Sequence, residues 1–352
     1  MPTTPTVRAA ALRDLRPELA DPVERTALWA RAALDAGLLD LPLPGRGATR
    51  DRFAALADLG GADLDLARLA EAHVDAVAIR ADLGADGPND GLWGVWAANP
   101  PADPLLARRS DGGWRLDGTK PWCSGAGCCD RALVTARTDD GYRLFAVDLA
   151  DPRATAVDGT WPAAAMQGSD SRSVRFDGAP ADAVGGPQEY LERPGFWHGA
   201  VGVAAVWWGG AREIGRALAR ADGRRPLGPH ALAHAGAVDA SLTAACTVLE
   251  AAAQSFDADP EDRDGTARLT AARARAVVEQ SAVEVVERSA VEVIERTGRA
   301  LGAAPLALDA AHGRRVSDLL LYLRQSHAES DLEELGRAGL DAGGPPWSDG
   351  RP

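Results

Sequence analysis

The sequence predicts an α+β protein in three successive parts: helices over residues 1–88, an antiparallel β domain over 89–190 and a four-helix bundle over 191–337. Residues 338–352 are expected to form a disordered tail. Three observations lead there. Apolar residues recur at helical spacing in the first part. Between 89 and 190, short alternating segments are parted by Asp-Gly and Gly-Gly pairs, the chemistry of tight hairpins. Beyond residue 194 long helical runs return.

Asp21-Pro22 starts the first clear helix, with Pro inside the first turn, where its missing N–H removes no intrahelical bond. The run VERTALWARAALDAG then stops at Gly37. After the loop LPLPGRGAT and the segment DRFAALADLG, the stretch 62–84 places Leu66, Leu69, Ala70, Val74 and Val77 near one helical face. The strands read GGWRLDG, RALVTART, DDGYRLFAVDL and SRSVRFDG. In the bundle, AAVWWGGAREIGRALARA and ALAHAGAVDASLTAACTVLEAAAQSF are the first two helices. No strand precedes GGAREIG as a phosphate-binding turn requires, so its glycines are read as permitting close helix packing beside Trp207 and Trp208. A third helix is expected from Thr266 to Thr297, through the tandem octapeptides SAVEVVER and SAVEVIER (281–296). Two copies make a local duplication, not a solenoid. The fourth helix starts near Pro305 and includes RRVSDLLLYLRQ.

Composition bounds the function. A formal net charge of -13, with no basic run interleaved with aromatics, excludes a long polyanion such as nucleic acid as the leading partner. The N-terminal 22 residues have no apolar core of signal-peptide length, and no stretch approaches about 18 uninterrupted apolar residues. Neither a signal peptide nor a membrane-spanning helix is therefore expected, and the cytoplasm is the expected location. Cys123, Cys128, Cys129 and Cys246 fit neither a disulfide framework nor a zinc spacing, and read as reduced thiols. His230 and His234, four apart at a helix start, lack both an intervening Glu and a third ligand, so no metal is expected. His73 and His312 read as structural or exposed. Lysine occurs once, at Lys120, which is attributed to codon bias in a GC-rich genome.

Three segments carry a family likeness. GGWRLDGTKPWCSGAGCCDRALVTA resembles the Gly-x-Lys-x-Trp-x-Ser/Thr strand of the acyl-CoA dehydrogenase superfamily. AAAMQGSDSRSVRFDGAPADAVG resembles that superfamily's second β-domain signature, and RRPLGPHALAHAGAVDASL the start of its bundle helix. In this order, with these flanking regions, the resemblance spans about residues 23–337. It implies an FAD cofactor, a small-molecule substrate (a CoA thioester is one candidate) and a homodimer or homotetramer assembled through the bundle.

The resemblance also assigns residues. Trp122 and Ser124 fall at flavin-contacting positions. Read as alternating with Cys123 on one strand, they share a face, with Trp122 as an apolar wall and Ser124 as a hydroxyl donor. Trp96, in WGVWAANPP, falls at a loop beneath the flavin; it either stacks there or is a core Trp. Arg224 aligns with an arginine that reaches a neighbouring subunit's pyrophosphate, with Arg225 as the alternative. Gly298 and Gly302 fall at a glycine-rich turn on the partner's cofactor, although Glu295 stands where the family has Gln.

The family's base is missing. Of the two places where it carries a catalytic glutamate, one here reads Leu323-Arg324-Gln325-Ser326-His327 and the other Trp197-His198-Gly199-Ala200. His327 is the candidate acid/base and His198 its supporting polar group, since a neutral imidazole works near pH 7. The expected function is FAD-dependent oxidation of an acyl or other small organic substrate. The alternatives are flavin-dependent monooxygenation on the same fold, or a non-catalytic paralogue acting as a binding or assembly subunit.

Overall fold

A computed structural model describes residues 7–85, 90–99, 103–280, 290–325 and 329–341. It divides into two compact units. The barrel unit comprises Pro5–Leu41 and Ala62–Phe196; the helical unit comprises Pro42–Gly61 and the chain from Trp197 onward.

The barrel unit begins with α1 (Val7–Asp14) and α2 (Pro22–Asp35). Asp21 caps α2 by accepting the Glu24 N–H at 2.8 Å, and Gly37, at φ 68°, follows the helix end as expected. Helix α4 (Leu64–Asp82) is capped by Asp63, which accepts from the N–H groups of Asp65 and Leu66. Seven strands follow: β1 (Trp93–Trp96), β2 (Leu106–Ser110), β3 (Gly113–Lys120), β4 (Arg131–Thr138), β5 (Gly141–Asp148), β6 (Ala154–Val157) and β7 (Ser173–Val184). A short helix, α5 (Glu189–Glu192), comes after them.

The sheet is not purely antiparallel, as the sequence suggested. The ladders β4–β2–β3–β7–β5 close when β5 returns to β4, giving a five-stranded barrel. One edge of β4 is taken by β5, so β1 and β2 share the other, both parallel to β4. Closing the ring leaves β4's second edge no antiparallel neighbour. The Asp-Gly signal is correct for the β2–β3 hairpin, where Ser110 faces Gly113 across Asp111-Gly112. It misleads at Asp177-Gly178, which lies within β7. There Leu116 pairs with Ala179 and Asp117 with Asp177, so Gly178 is the extra residue of a β-bulge, at φ 64°. Its N–H donates to Asp117 Oδ1.

The helical unit holds α3 (Thr49–Ala62), α6 (Gly195–Arg224), α7 (Pro229–Ala258), α8 (Ala267–Gln280), α9 (Ala290–Leu301), α10 (Ala304–Leu308), α11 (Ala310–Tyr322) and α12 (Glu329–Asp341). The glycines do permit close packing. A Cβ at Gly209 would stand 2.0 Å from the Ala57 carbonyl oxygen, and one at Gly60 2.1 Å from that of Val206, so α3 and α6 cross backbone to backbone. The expected third helix appears as α8 and α9; most of its octapeptide repeat lies outside the described residues. The expected fourth helix is divided, because Asp309 takes an extended conformation and caps α11 through the His312 N–H. Residues 338–341 of the expected tail are helical, because α12 continues to Asp341; 342–352 lie outside the described residues. No uninterrupted apolar run of about 18 residues occurs in α7, which is broken by Asp239, Ser241, Thr243, Thr247 and Glu250. Among the described residues, α7 is the one helix long and apolar enough on average to cross a membrane, by length and composition only, and 17% of its most apolar 18-residue window is buried.

Candidate functional site

The segment after β3 leaves the sheet at Lys120. Trp122 takes a left-handed conformation, φ 56°, and its side chain is 62% exposed, whereas Ser124 is 4% exposed. The two side chains therefore do not share a strand face, and the alternation argument fails. The reason is the proline at 121 and the turn that follows it, which rotate the chain out of the β conformation. Among the described residues, Trp122 is the one exposed large aromatic.

The turn beneath Trp122 is clamped. The N–H groups of Cys123 and Gly125 donate to the carbonyls of Arg172 and Ser169, each at 2.8 Å, and the Gly127 N–H donates to Asp170 Oδ2 at 2.7 Å. Asp65 of α4 accepts from the Ser169 N–H at 3.0 Å. Gly125, at φ 76°, has the Cys129 sulfur 2.5 Å from where a Cβ would stand, so no other residue fits without displacement. An exposed indole is thus carried on a rigid backbone, a surface suited to a flat ring.

Ser124 faces inward to a chain of hydroxyls. Arg68 Nε donates to Ser124 Oγ at 3.1 Å, Ser124 and Ser171 are 2.8 Å apart, Ser171 and Ser169 2.9 Å, and Ser169 donates to the Met166 carbonyl at 2.7 Å. Each hydroxyl has one proton, and both ends are fixed by a pure donor and a pure acceptor. The chain therefore runs Arg68→Ser124→Ser171→Ser169→Met166, and the Ser124 proton is committed to Ser171. Arg68 also pairs with Glu71. Trp96, 2% exposed, is a core residue of the barrel, and its indole N–H donates to the Ser124 carbonyl at 3.0 Å.

In the helical unit, His198 is 3% exposed, packed on Phe256 with ring centroids 4.3 Å apart and against Gly45. Arg224 is exposed in the last turn of α6. Gly298 lies inside α9 and not in a turn; Gly302, at φ 72°, follows that helix. Glu295 pairs with Arg299 on the same helix. His327 lies outside the described residues.

One cluster was missed by sequence reasoning. Lys120 is 1% exposed at the end of β3, and its Nζ donates to Asn99 Oδ1 (2.8 Å), Thr135 O (2.6 Å) and Thr135 Oγ1 (2.8 Å). Thr135 Oγ1 donates in turn to Asn99 Oδ1 at 2.9 Å. Burial lowers the pKa of Lys120 to about 7, and no carboxylate is among its partners. The signal was available: alternation along β3 puts Lys120 on the same face as buried Leu116. Asn99 and Thr135 line a cavity of about 130 Å³ within the barrel unit, with Tyr142, Arg143, Tyr190 and Phe196 among its other walls.

No family model matches the sequence, and no curated protein matches it. Solved structures do. TdsC from Paenibacillus sp. A11-2, a dibenzothiophene monooxygenase solved in complex with FMN and indole, shares 20% identity over 95% of each chain, with a TM-score of 0.75. KijD3, solved with FMN and dTDP-3-amino-2,3,6-trideoxy-4-keto-3-methyl-D-glucose, shares 20% identity over 96% of this chain and 94% of that one (TM-score 0.74). Methanesulfinate monooxygenase MsuC from Pseudomonas fluorescens shares 19% identity over 95% and 97% (TM-score 0.70). At this identity the likeness establishes the fold, which is acyl-CoA dehydrogenase-like, as the sequence suggested.

Proposed function

We propose that this chain is a flavin-dependent monooxygenase that binds FMN and a small organic substrate. The observation that carries the reading is Trp122, a rigidly mounted exposed indole at the position where the sequence motif expects a flavin wall. A bound reduced flavin would supply the electrons that activate molecular oxygen for transfer to the substrate. Trp122 would pack against the flat ring, and the clamp from Arg172, Ser169 and Asp170 would hold it in place. Ser124 would act through that clamp, because its hydroxyl proton is held by Ser171.

Two further features favour FMN-dependent oxygen chemistry over the FAD-dependent oxidation first expected. Neither of the two places for a glutamate base holds a Glu, so α-proton abstraction from a thioester lacks its carboxylate. Gly298 lies in a helix and Glu295 is paired with Arg299, which leaves Gly302 alone of that pair at a turn and lessens the case for a shared pyrophosphate turn. Arg224 is kept as a candidate for the flavin phosphate, and His198 and His327 as candidate polar groups of the substrate pocket. The apolar, partly exposed α7 is the surface through which a second copy of this chain would assemble.

Titration of the purified chain with FMN and with FAD, followed by flavin fluorescence, tests this. FMN is expected to bind more tightly than FAD. Trp122→Ala should weaken binding about tenfold, the equivalent of ~1.4 kcal/mol of stacking, with an unchanged circular dichroism spectrum. Binding of neither flavin by the unaltered chain would sink the proposal, and tighter binding of FAD would restore the reading as FAD-dependent oxidation.

A further inference from the structure

The Lys120 cluster and the cavity above it do not belong to the flavin reading, and they have a chemistry of their own. A lysine ammonium has three donors, and Nζ finds three acceptors, so the protonated form is fully hydrogen-bonded while buried. All three are neutral, and no ion pair to Lys120 occurs among the described residues. A buried cation without a counter-charge is unfavourable and attracts an anion.

Asn99 supplies a second cue. Its Oδ1 accepts from both Lys120 and Thr135, and an ammonium can only donate, so the orientation of the amide is fixed. Both donors on Asn99 Nδ2 are then left with no partner among the described residues. Asn99 is exposed and lines the cavity.

The walls define the remainder of the ligand. Tyr190 and Phe196 meet edge to face, with centroids 5.6 Å apart, and Tyr142 and Leu191 add apolar surface. Arg143 also lines the cavity, but Asp140 neutralises it at 2.7 Å. A volume of about 130 Å³ is that of a single ring; an apolar cavity of ~150 Å³ takes up benzene.

We propose that the cavity bounded by Asn99, Thr135, Tyr142, Arg143, Tyr190 and Phe196 binds a small monocyclic aromatic carboxylate, whose anionic group is received by Asn99 Nδ2 above the Lys120 ammonium. The ring lies among the aromatic walls. The carboxylate supplies the counter-charge that Lys120 lacks. This site stands whether or not the chain binds flavin.

Because Lys120 is the single lysine of the sequence, ¹³C-lysine labelling yields one ε-methylene signal, and its pH titration reads this amine alone. The probe is benzoate, with benzamide as its uncharged counterpart. Saturating benzoate is expected to raise the titration midpoint by about one pH unit or more, corresponding to tenfold tighter binding to the protonated form. Benzamide should leave the midpoint unchanged. Lys120→Met, if folded, should lose benzoate affinity at least tenfold, read by calorimetry. An unmoved midpoint at saturating benzoate, equal shifts with both probes, or full affinity in the variant would each overturn the proposal.

Discussion

Replacing Lys120 by Met should remove a pH dependence that the buried amine imposes on folding. In the folded chain the amine is buried and its pKa is lowered to about 7 from the ordinary 10.5. Below about pH 7 both folded and unfolded chains hold the proton, and Lys120 contributes no slope. Between 7 and 10.5 the unfolded chain still holds it while the folded chain has released it, so stability rises with pH across that window. Above 10.5 both are neutral and the slope vanishes again. At 1.36 kcal/mol per pH unit the full window corresponds to roughly 5 kcal/mol. The substitution also strips a donor from Asn99 Oδ1 and Thr135 O, a loss of about 1–3 kcal/mol that does not vary with pH. The signature is therefore the slope and not the offset. Urea unfolding of both proteins from pH 6.5 to 10 reads it, since all other titrating groups are common to both. The stability difference should widen towards higher pH by several kcal/mol in favour of the lysine protein. Parallel curves, within about 1 kcal/mol across the range, would refute the reasoning.

Gly209→Ala should destabilise by about 3 kcal/mol or more in the same assay, because the new methyl would meet the Ala57 carbonyl at 2.0 Å and backbone cannot yield as a side chain does. A change under about 0.5 kcal/mol would mean that the α3–α6 crossing is looser than described. Ser124→Ala should cost about 1–3 kcal/mol of stability by leaving Arg68 Nε and Ser171 without their partner. Unchanged stability together with slowed flavin reduction would instead point the hydroxyl at the cofactor.

The sequence made the helices and hairpins legible where local chemistry decides them. Asp21-Pro22 and Gly37 each act within a few residues, and each appears where expected. Barrel closure was not legible, because the pairing of β4 with β1 and β2 depends on residues far apart in the chain and leaves no local pattern. The same Asp-Gly dipeptide makes a turn at 111–112 and a bulge at 177–178; what differs is the neighbouring strand, which a dipeptide does not encode. At the candidate site, the alternation expected of Trp122 and Ser124 does not hold, since it cannot survive a residue at φ 56°. Lys120 was passed over as a matter of codon usage. Its burial was nonetheless implied by the strand period that places it with Leu116.

The closed barrel also has a weakest line. Its hairpins β2–β3 and β4–β5 are joined by long ladders, and β7 is paired along much of β3 and at one end of β5. The contact that completes the ring between β2 and β4 is one register pair, Leu106 with Arg137, beside the bond from the Arg137 N–H to the Leu105 carbonyl. Free energies of local opening follow the number of bonds that must part together. The β2–β4 seam is therefore the junction of the ring held by the fewest backbone pairs, and its closure rests on the buried side chains of Leu105, Ala107 and Ala136 beside it.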